Sequence, residues 1–413
     1  MADIYPTNME HYAMNTRKVL VAAAAALTVA SAQTVLAGGF ALAEVSARGN
    51  ALQGAIVGST RDASAIFFNP ANMTELGDNT QAMAGFTLLR PDYYTYVGPN
   101  KIDQDEKVYV APHLYVSGKV ADGLYLGFGE YSEFGLGTKY EGGKNWPLSF
   151  DSTRTEITSF TLSPTIAWQA TEALSLGAGL RAVYFDVTMD RYLPPSVMPP
   201  GTIFHMAADD WAYSYLLSAA YQVTDAVRVG VVYRGETKIE AEGDAELVQF
   251  GVKGGAKGDI TMPQSVMAGI NWQATEKLNL GFTATWTDWT SYDVLNVKFD
   301  RFPIPASSSE KGWEETWRFS VGAEYQVNEN WAVQLGLTHD ESPVPHATSD
   351  TVCPPGDRDQ IGLGFSYGKD NWKISADYMY VYIHSTDRSI MGYPCNVREA
   401  RTDTVGLTYS YNF

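Results

Sequence analysis

Four short stretches decide the fold: Trp168-Gln169-Ala170-Thr171-Glu172, Tyr221-Gln222-Val223-Thr224-Asp225, Trp272-Gln273-Ala274-Thr275-Glu276 and Tyr325-Gln326-Val327-Asn328-Glu329. Each reads as an aromatic, a Gln, a small apolar residue, a Thr or Asn, and an acid, with an alternating segment directly after it. A short polar turn with an aromatic just inside it is what a membrane hairpin needs, because Tyr and Trp rings settle at the membrane–water boundary. Ala121-Asp122-Gly123 and Gly368-Lys369-Asp370-Asn371 are divergent versions of the same turn, which brings the number to six. They recur at roughly 40 to 55 residues, the length of one strand pair plus an outer loop.

Working outward from the turns, the flanking segments have period two. Leu278, Leu280, Phe282, Ala284 and Trp286 alternate with Asn279, Gly281, Thr283, Thr285 and Thr287. Ile361, Leu363, Phe365 and Tyr367 alternate with Gln360, Gly362, Gly364 and Ser366. Each strand therefore has one greasy face and one polar or tiny face. The pattern holds for about ten residues or more, the span of a tilted membrane strand, which sets it apart from a soluble sandwich. The six turns join twelve strands; one more is expected near Thr80 to Tyr96 and one near Asp403 to Phe413, fourteen in all. An open edge in lipid would leave backbone groups unpaired, so the sheet must close. The expected fold is all-β: a fourteen-stranded antiparallel transmembrane barrel with both ends periplasmic. A terminal Phe413 on such a strand resembles the signal read by outer-membrane assembly machinery, a partner expected beside the bilayer and its lipopolysaccharide.

Ahead of the strands the chain changes character. Arg17 and Lys18 precede an unbroken small-apolar run to Ala32, and Val35-Leu36-Ala37 supplies a signal-peptidase site. Residues 1–37 are expected to be a signal peptide, with Met14 an alternative start because Asp3 and Glu10 sit where positive charge belongs. Residues 38–78 lack strand alternation, yet Phe40, Leu42, Ile56, Ile66, Phe67 and Phe68 make them too apolar for a free tail. A barrel of this width has room for them, so they are expected to form a plug, or hatch, inside the barrel of residues 79–413. The net charge of -18 argues against nucleic acid as a partner. The aromatic share of 13%, with 25 Tyr and 10 Trp, fits a membrane boundary instead. Two thiols and scattered histidines argue against a metal centre, and no cofactor motif is present. The turn count puts Cys353 in the sixth outer loop and Cys395 in the seventh. Those loops are neighbours on one rim of an exported protein, so a disulfide between the two is expected.

With these features in order, the chain resembles the FadL family of long-chain fatty-acid transporters, which includes aromatic-hydrocarbon channels. The likeness is carried by Gly38-Gly39-Phe40, by Asn69-Pro70-Ala71 in the hatch, and by Tyr233-Arg234 with Lys238-Ile239. Asp340, Ser342-Pro343-Val344-Pro345 and the stretch from Pro354 to Gln360 continue it. The resemblance implies uptake of a hydrophobic small molecule by a monomer: capture in an outer hydrophobic groove, passage to a deeper pocket, and sideways exit where the third strand bends inward, with Phe40 a candidate ligand-binding residue. The candidate bend is Phe134-Gly135-Leu136-Gly137, where glycines permit a kink. For a fatty acid the resemblance implies deep basic residues. Arg191 falls where one is expected, but Glu314 aligns with the partner lysine. That departure leaves neutral hydrocarbons and aromatics open beside fatty acids.

Two other functions compete. A general diffusion porin for polar solutes needs an open lumen, which a hatch denies. An outer-membrane lipase would need a nucleophile relay; His339-Asp340 beside Ser342 is the nearest approach, and neighbours in a strand point to opposite faces. No catalytic residue is assigned.

Overall fold

The computed structural model describes residues 39–104, 107–140, 142–302, 306–353, 355–390 and 392–413. The signal-peptide expectation for residues 1–37 lies outside them. The wall consists of β1 (Gln81–Val97), β2 (Tyr109–Ala121), β3 (Leu124–Tyr131, resuming at Gly135–Lys139), β4 (Arg154–Gln169), β5 (Leu174–Tyr192) and β6 (Ile203–Thr224). It continues through β7 (Val227–Arg234 and Thr237–Leu247), β8 (Val252–Met262 and Ser265–Gln273), β9 (Leu278–Thr287 and Val294–Asp300) and β10 (Ala306–Glu310 and Thr316–Gln326). It ends with β11 (Trp331–Asp340), β12 (Arg358–Lys369), β13 (Trp372–Ile383) and β14 (Tyr393–Asn412). Neighbours in sequence pair antiparallel throughout, and β14 pairs with β1 from Gln81↔Asn412 to Val97↔Cys395, which closes the barrel. All six sequence-derived inner turns join the strands they were expected to join.

The period-two pattern sorts side chains as the sequence implies. Leu335, Leu337, Ile361, Leu363, Phe365, Val405 and Leu407 are all exposed on the outside, a continuous apolar surface that only lipid would cover without cost. No helix among the described residues is long and apolar enough to cross a membrane. The wall is uneven in height. β6 runs 22 residues against ten for β11, so the outer halves of β5 to β9 rise as a cup whose inner face carries Phe204, Met206, Leu247 and Val297.

Residues 39–80 fill the lumen. They form α1 (Ala47–Ala51), α2 (Ala65–Phe68) and a 3-10 helix (Pro70–Leu76), all short because they must turn within the barrel. The Asn69-Pro70-Ala71 motif starts the 3-10 helix. Asn69 accepts from Ala71 N at 3.1 Å and donates to Val57 O at 2.8 Å, while Pro70 takes the first helical position, where no N–H is needed. The wall admits this backbone through a row of glycines directly side by side, Gly281, Gly322, Gly336 and Gly362 on β9 to β12. A Cβ at Gly281 would overlap Ala55 O, and one at Gly336 would lie 2.7 Å from Ala51 O. Ion pairs then fix the register of hatch on wall: Arg48 Nε donates to Glu324 at 2.7 Å and Nη1 to Asp62 at 3.3 Å, while Asn50 donates to Asp377 at 3.2 Å. Buried charges of this kind add little net stability, but they penalise every misplaced arrangement that separates them.

Candidate functional site

Two cavities lie one above the other on the outer side of the hatch. The outer cavity, about 680 Å³ of non-atom space, is bounded by Ile157, Phe185, Val187, Met189, Met206, Leu295 and Val297 from the cup, with Phe40 and Tyr292 at its floor. The inner cavity, about 910 Å³, is bounded by Phe67, Phe68, Phe134, Met267 and Trp289, and by Arg181, Arg234, Arg318, Glu133 and Asp340. Between them stands an aromatic knot. Phe40 packs against Trp289, Tyr292 and Trp313 at centroid distances of 5.7, 5.4 and 4.8 Å. The outer cavity thus offers an apolar chain a mainly apolar wall, its Lys311 tied to Asp350, and the inner one adds further charge.

That charge is arranged by alternation. Leu180, Tyr233 and Trp317 face outward, so Arg181, Arg234 and Arg318 face the lumen. Arg181 is fully buried and donates to Glu133 through Nε at 3.1 Å, to Ser214 Oγ at 3.3 Å and to Gly235 O at 3.2 Å. Arg234 lies over the Phe67 ring at 4.2 Å, donates to Phe67 O and comes within 4.0 Å of the same Glu133. Glu133 is therefore shared by two guanidinium groups. Among the described residues Arg318 stands opposite Asp340 in the β10–β11 ladder, and its charge reaches the hatch carboxylate Glu44, but no hydrogen bond ties its guanidinium down.

The wall opens beside it. β3 pairs with β2 only as far as His113↔Tyr131 and then leaves the ladder. Residues 132–134 turn inward, where Leu42 N donates to Glu133 O at 2.8 Å, Gly135 N donates to Phe40 O at 2.9 Å, and Ala41 bridges Phe134. The strand resumes at Gly135–Lys139, paired to β4 alone. Tyr109 to Pro112 on β2 consequently have no β3 partner among the described residues.

Comparison with known proteins agrees with this architecture. Residues 27–412 match the family model described as outer membrane protein transport protein (OMPP1/FadL/TodX). The chain belongs to that family. Among curated FadL-type relatives, the long-chain fatty acid transport protein of Escherichia coli O6:H1 is 24% identical, with 90% of this chain and 92% of the relative aligned. A putative outer membrane protein of Neisseria meningitidis serogroup B is 26% identical, over 94% and 97%. In structure, the chain is similar to a Pseudomonas aeruginosa FadL homologue, TM-score 0.80 at 18% identity over 90% and 99% of the two chains. It is likewise similar to the P. putida toluene transporter TodX, TM-score 0.74 at 18% identity over 90% and 99%. Membership places this barrel in the bacterial outer membrane.

Against this FadL/TodX frame the expected residues fare unevenly. Phe40 lines the outer cavity and packs in the aromatic knot beneath it. The bend is real but begins at Ser132, two residues before Phe134; Gly135, Leu136 and Gly137 belong to the resumed strand rather than to the break. Arg191 and Glu314 are not brought together. Arg191 lies near the outer end of β5 with its guanidinium over Phe204 at 5.2 Å, and Glu314 is exposed in the loop before Thr316, its N–H donating to Pro343 O at 3.0 Å. Glu314 therefore does not face Arg191, whereas Arg318, four residues on, lines the inner cavity. The expected Cys353–Cys395 disulfide is not formed either. Both residues are buried in the outer apolar cluster, but Cys353 Sγ lies 3.8 Å from Gly39 O and Cys395 donates to Tyr393 O at 3.2 Å. Cys395 also sits on β14, which begins earlier than the sequence suggests. His339 points outward to Asp359 at 2.8 Å, while Asp340 beside it is buried.

Proposed function

We propose that this protein takes up hydrophobic molecules carrying an acidic head group across the outer membrane, long-chain fatty acids being the fitting class. The observation that carries this reading is Arg318, which lines the inner cavity while its neighbours Arg181 and Arg234 are both engaged with Glu133, below a mainly apolar outer cavity and the Phe40 knot. An alkyl chain gains by leaving water for the Met- and Phe-lined cup, and its carboxylate would meet Arg318 where low dielectric strengthens the bond. The hatch denies a straight path to the periplasm, so the substrate would leave through the opening between β2 and β3. Relatives that are named long-chain fatty acid transport proteins support the same class. Lipid and lipopolysaccharide would surround the apolar outer rows, Phe413 would serve recognition by the assembly machinery, and one chain would suffice.

The test is equilibrium binding of dodecanoate and of its methyl ester to the purified barrel. Arg318→Gln should weaken the acid by about 10- to 100-fold, the 1.5–3 kcal/mol of a hydrogen bond to a charged group, and leave the ester unchanged. Equal losses for both would mean a collapsed cavity. Wild-type preference for the ester or for toluene would replace the acid by a neutral hydrocarbon.

A further inference from the structure

The opening between β2 and β3 is not empty. It is bounded on the inner side by the last ladder pair, His113↔Tyr131, and on the outer side by an isolated bridge, Gln104↔Tyr140, with Gln104 Nε2 donating to Gly137 O at 2.9 Å. Between these limits, among the described residues, the Tyr109 side chain lies against the resumed half of β3 at Gly137. Tyr109, on β2, faces inward and is 2% exposed. Gly137 faces the other way. Its ladder partner is Glu156, whose neighbour Ile157 lines the outer cavity, so Glu156 and Gly137 lie on the outward side of the sheet. An inward ring on β2 thus rests on the outward side of β3, which is possible only because the resumed half of β3 runs inside the line of the wall.

The fit is close. A Cβ at Gly137 would overlap the Tyr109 hydroxyl and lie 2.6 Å from its Cε1. Glycine at 137 is therefore the seat that lets the ring lie flat. Lys107 closes the outer side: its Nζ stands 5.1 Å from the Tyr109 ring centroid and 2.7 Å from Glu156 Oε1, and Glu156 in turn accepts from Arg154 at 2.6 Å. β2 is well made for an opening here, since Pro112 has no N–H to leave unpaired.

We infer that Tyr109 is the leaf of the lateral opening and sets the width of molecule that can leave, with Gly137 as its seat. This rests on the uptake reading above and adds a specificity-determining residue to it. A slim chain passes beside the ring by a rotamer change; a bulky one requires the ring to leave its seat against the Lys107–Glu156 clasp. Tyr109 is not among the residues lining the cavity that holds Arg318, so the proposed selection acts at exit and not at binding.

The experiment measures uptake of two carboxylates, dodecanoate and 1-adamantanecarboxylate, by membranes bearing wild-type, Tyr109→Ala, Tyr109→Phe and Tyr109→Trp protein. Tyr109→Ala is expected to raise adamantanecarboxylate uptake severalfold relative to dodecanoate. Tyr109→Trp should lower both, the bulky probe more, and Tyr109→Phe should track the wild type. Dodecanoate affinity of each purified variant should be unchanged, which separates a gate from a misfolded barrel. A wild type that moves neither probe would overturn the uptake reading itself. A wild type that moves dodecanoate, with the ratio of the two probes constant across the Ala and Trp variants, would overturn the gate alone.

Discussion

Gly39 holds a backbone that no side chain would tolerate. Its φ is +72°, and a Cβ there would lie 2.6 Å from both Trp289 and Trp313. The next residue is Phe40, so this one glycine sets the floor of the outer cavity. Gly39→Ala is expected to cost about 1–3 kcal/mol of local strain and to unseat the knot. Altered fluorescence of the two tryptophans, with weaker dodecanoate binding, would register it; wild-type spectra would count against that role. At this scale the sequence was readable in direction but not in depth. Arg191 and Arg181 are both on the lumen face of β5, and alternation alone treats them as equals. Ten residues at about 3.3 Å each separate them by about 33 Å, the difference between the rim and the inner cavity. Arg318 had a legible signal, an arginine directly after a lipid-facing Trp317 on an alternating strand. Glu314 precedes Thr316, the first residue of the strand, and alternation says nothing about where a loop residue points.

Among the elements, the sixth outer loop is tied down on several sides. Lys311 donates to Asp350 at 2.6 Å, Thr351 donates to Asp151 through N and Oγ1 at 2.7 Å each, Tyr140 donates to Thr351 O at 2.8 Å, and Arg388 donates to Val344 O at 2.9 Å. Burial works against the Lys311 charge, but the Asp350 carboxylate outweighs it and holds the ammonium above the usual lysine range. Burial, with Asp350 beside it, pushes the Asp151 carboxyl above the usual carboxylate range, against the two bonds from Thr351. A group whose folded pKa is raised adds stability that is complete below its unfolded value and is lost as pH rises through the folded one. The Asp151 contribution therefore grows on acidification toward pH of about 3.9, and that of Lys311 is complete below about 10.4 and lost above it. Amide protection in residues 342–353, taken as the ratio of intrinsic to observed exchange rate at each pH, should be greater at pH 5 than at pH 8 and lost in strong alkali; greater protection at pH 8 than at pH 5 would refute the assignment to Asp151. Lys311→Met should loosen the loop by about 3 kcal/mol, since it leaves acids buried without their cation. None of these ties was visible in the sequence, because they join residues up to 211 positions apart. The strands were visible, because alternation is local.

For the molecule as a whole, wall and hatch are separable. The barrel closes through β1 and β14 backbone pairs that involve no hatch residue, so deleting residues 38–77 should leave a folded, heat-modifiable barrel. Conductance in planar bilayers should rise for small polar solutes, as the lumen groups Glu324, Asp377 and Arg228 become hydrated; a silent or unfolded deletion variant would refute the separation. The row of glycines on β9 to β12 has a further consequence, one of timing. Its clearance is too small for a threaded chain to find after closure, because Gly281 meets Ala55 at backbone contact. The segment synthesised first must therefore already lie against the growing sheet when the strand synthesised last arrives to pair with Gln81. Until then its aromatic residues have no enclosure of their own, and for as long as the ring stays open that apolar surface is exposed to aggregation.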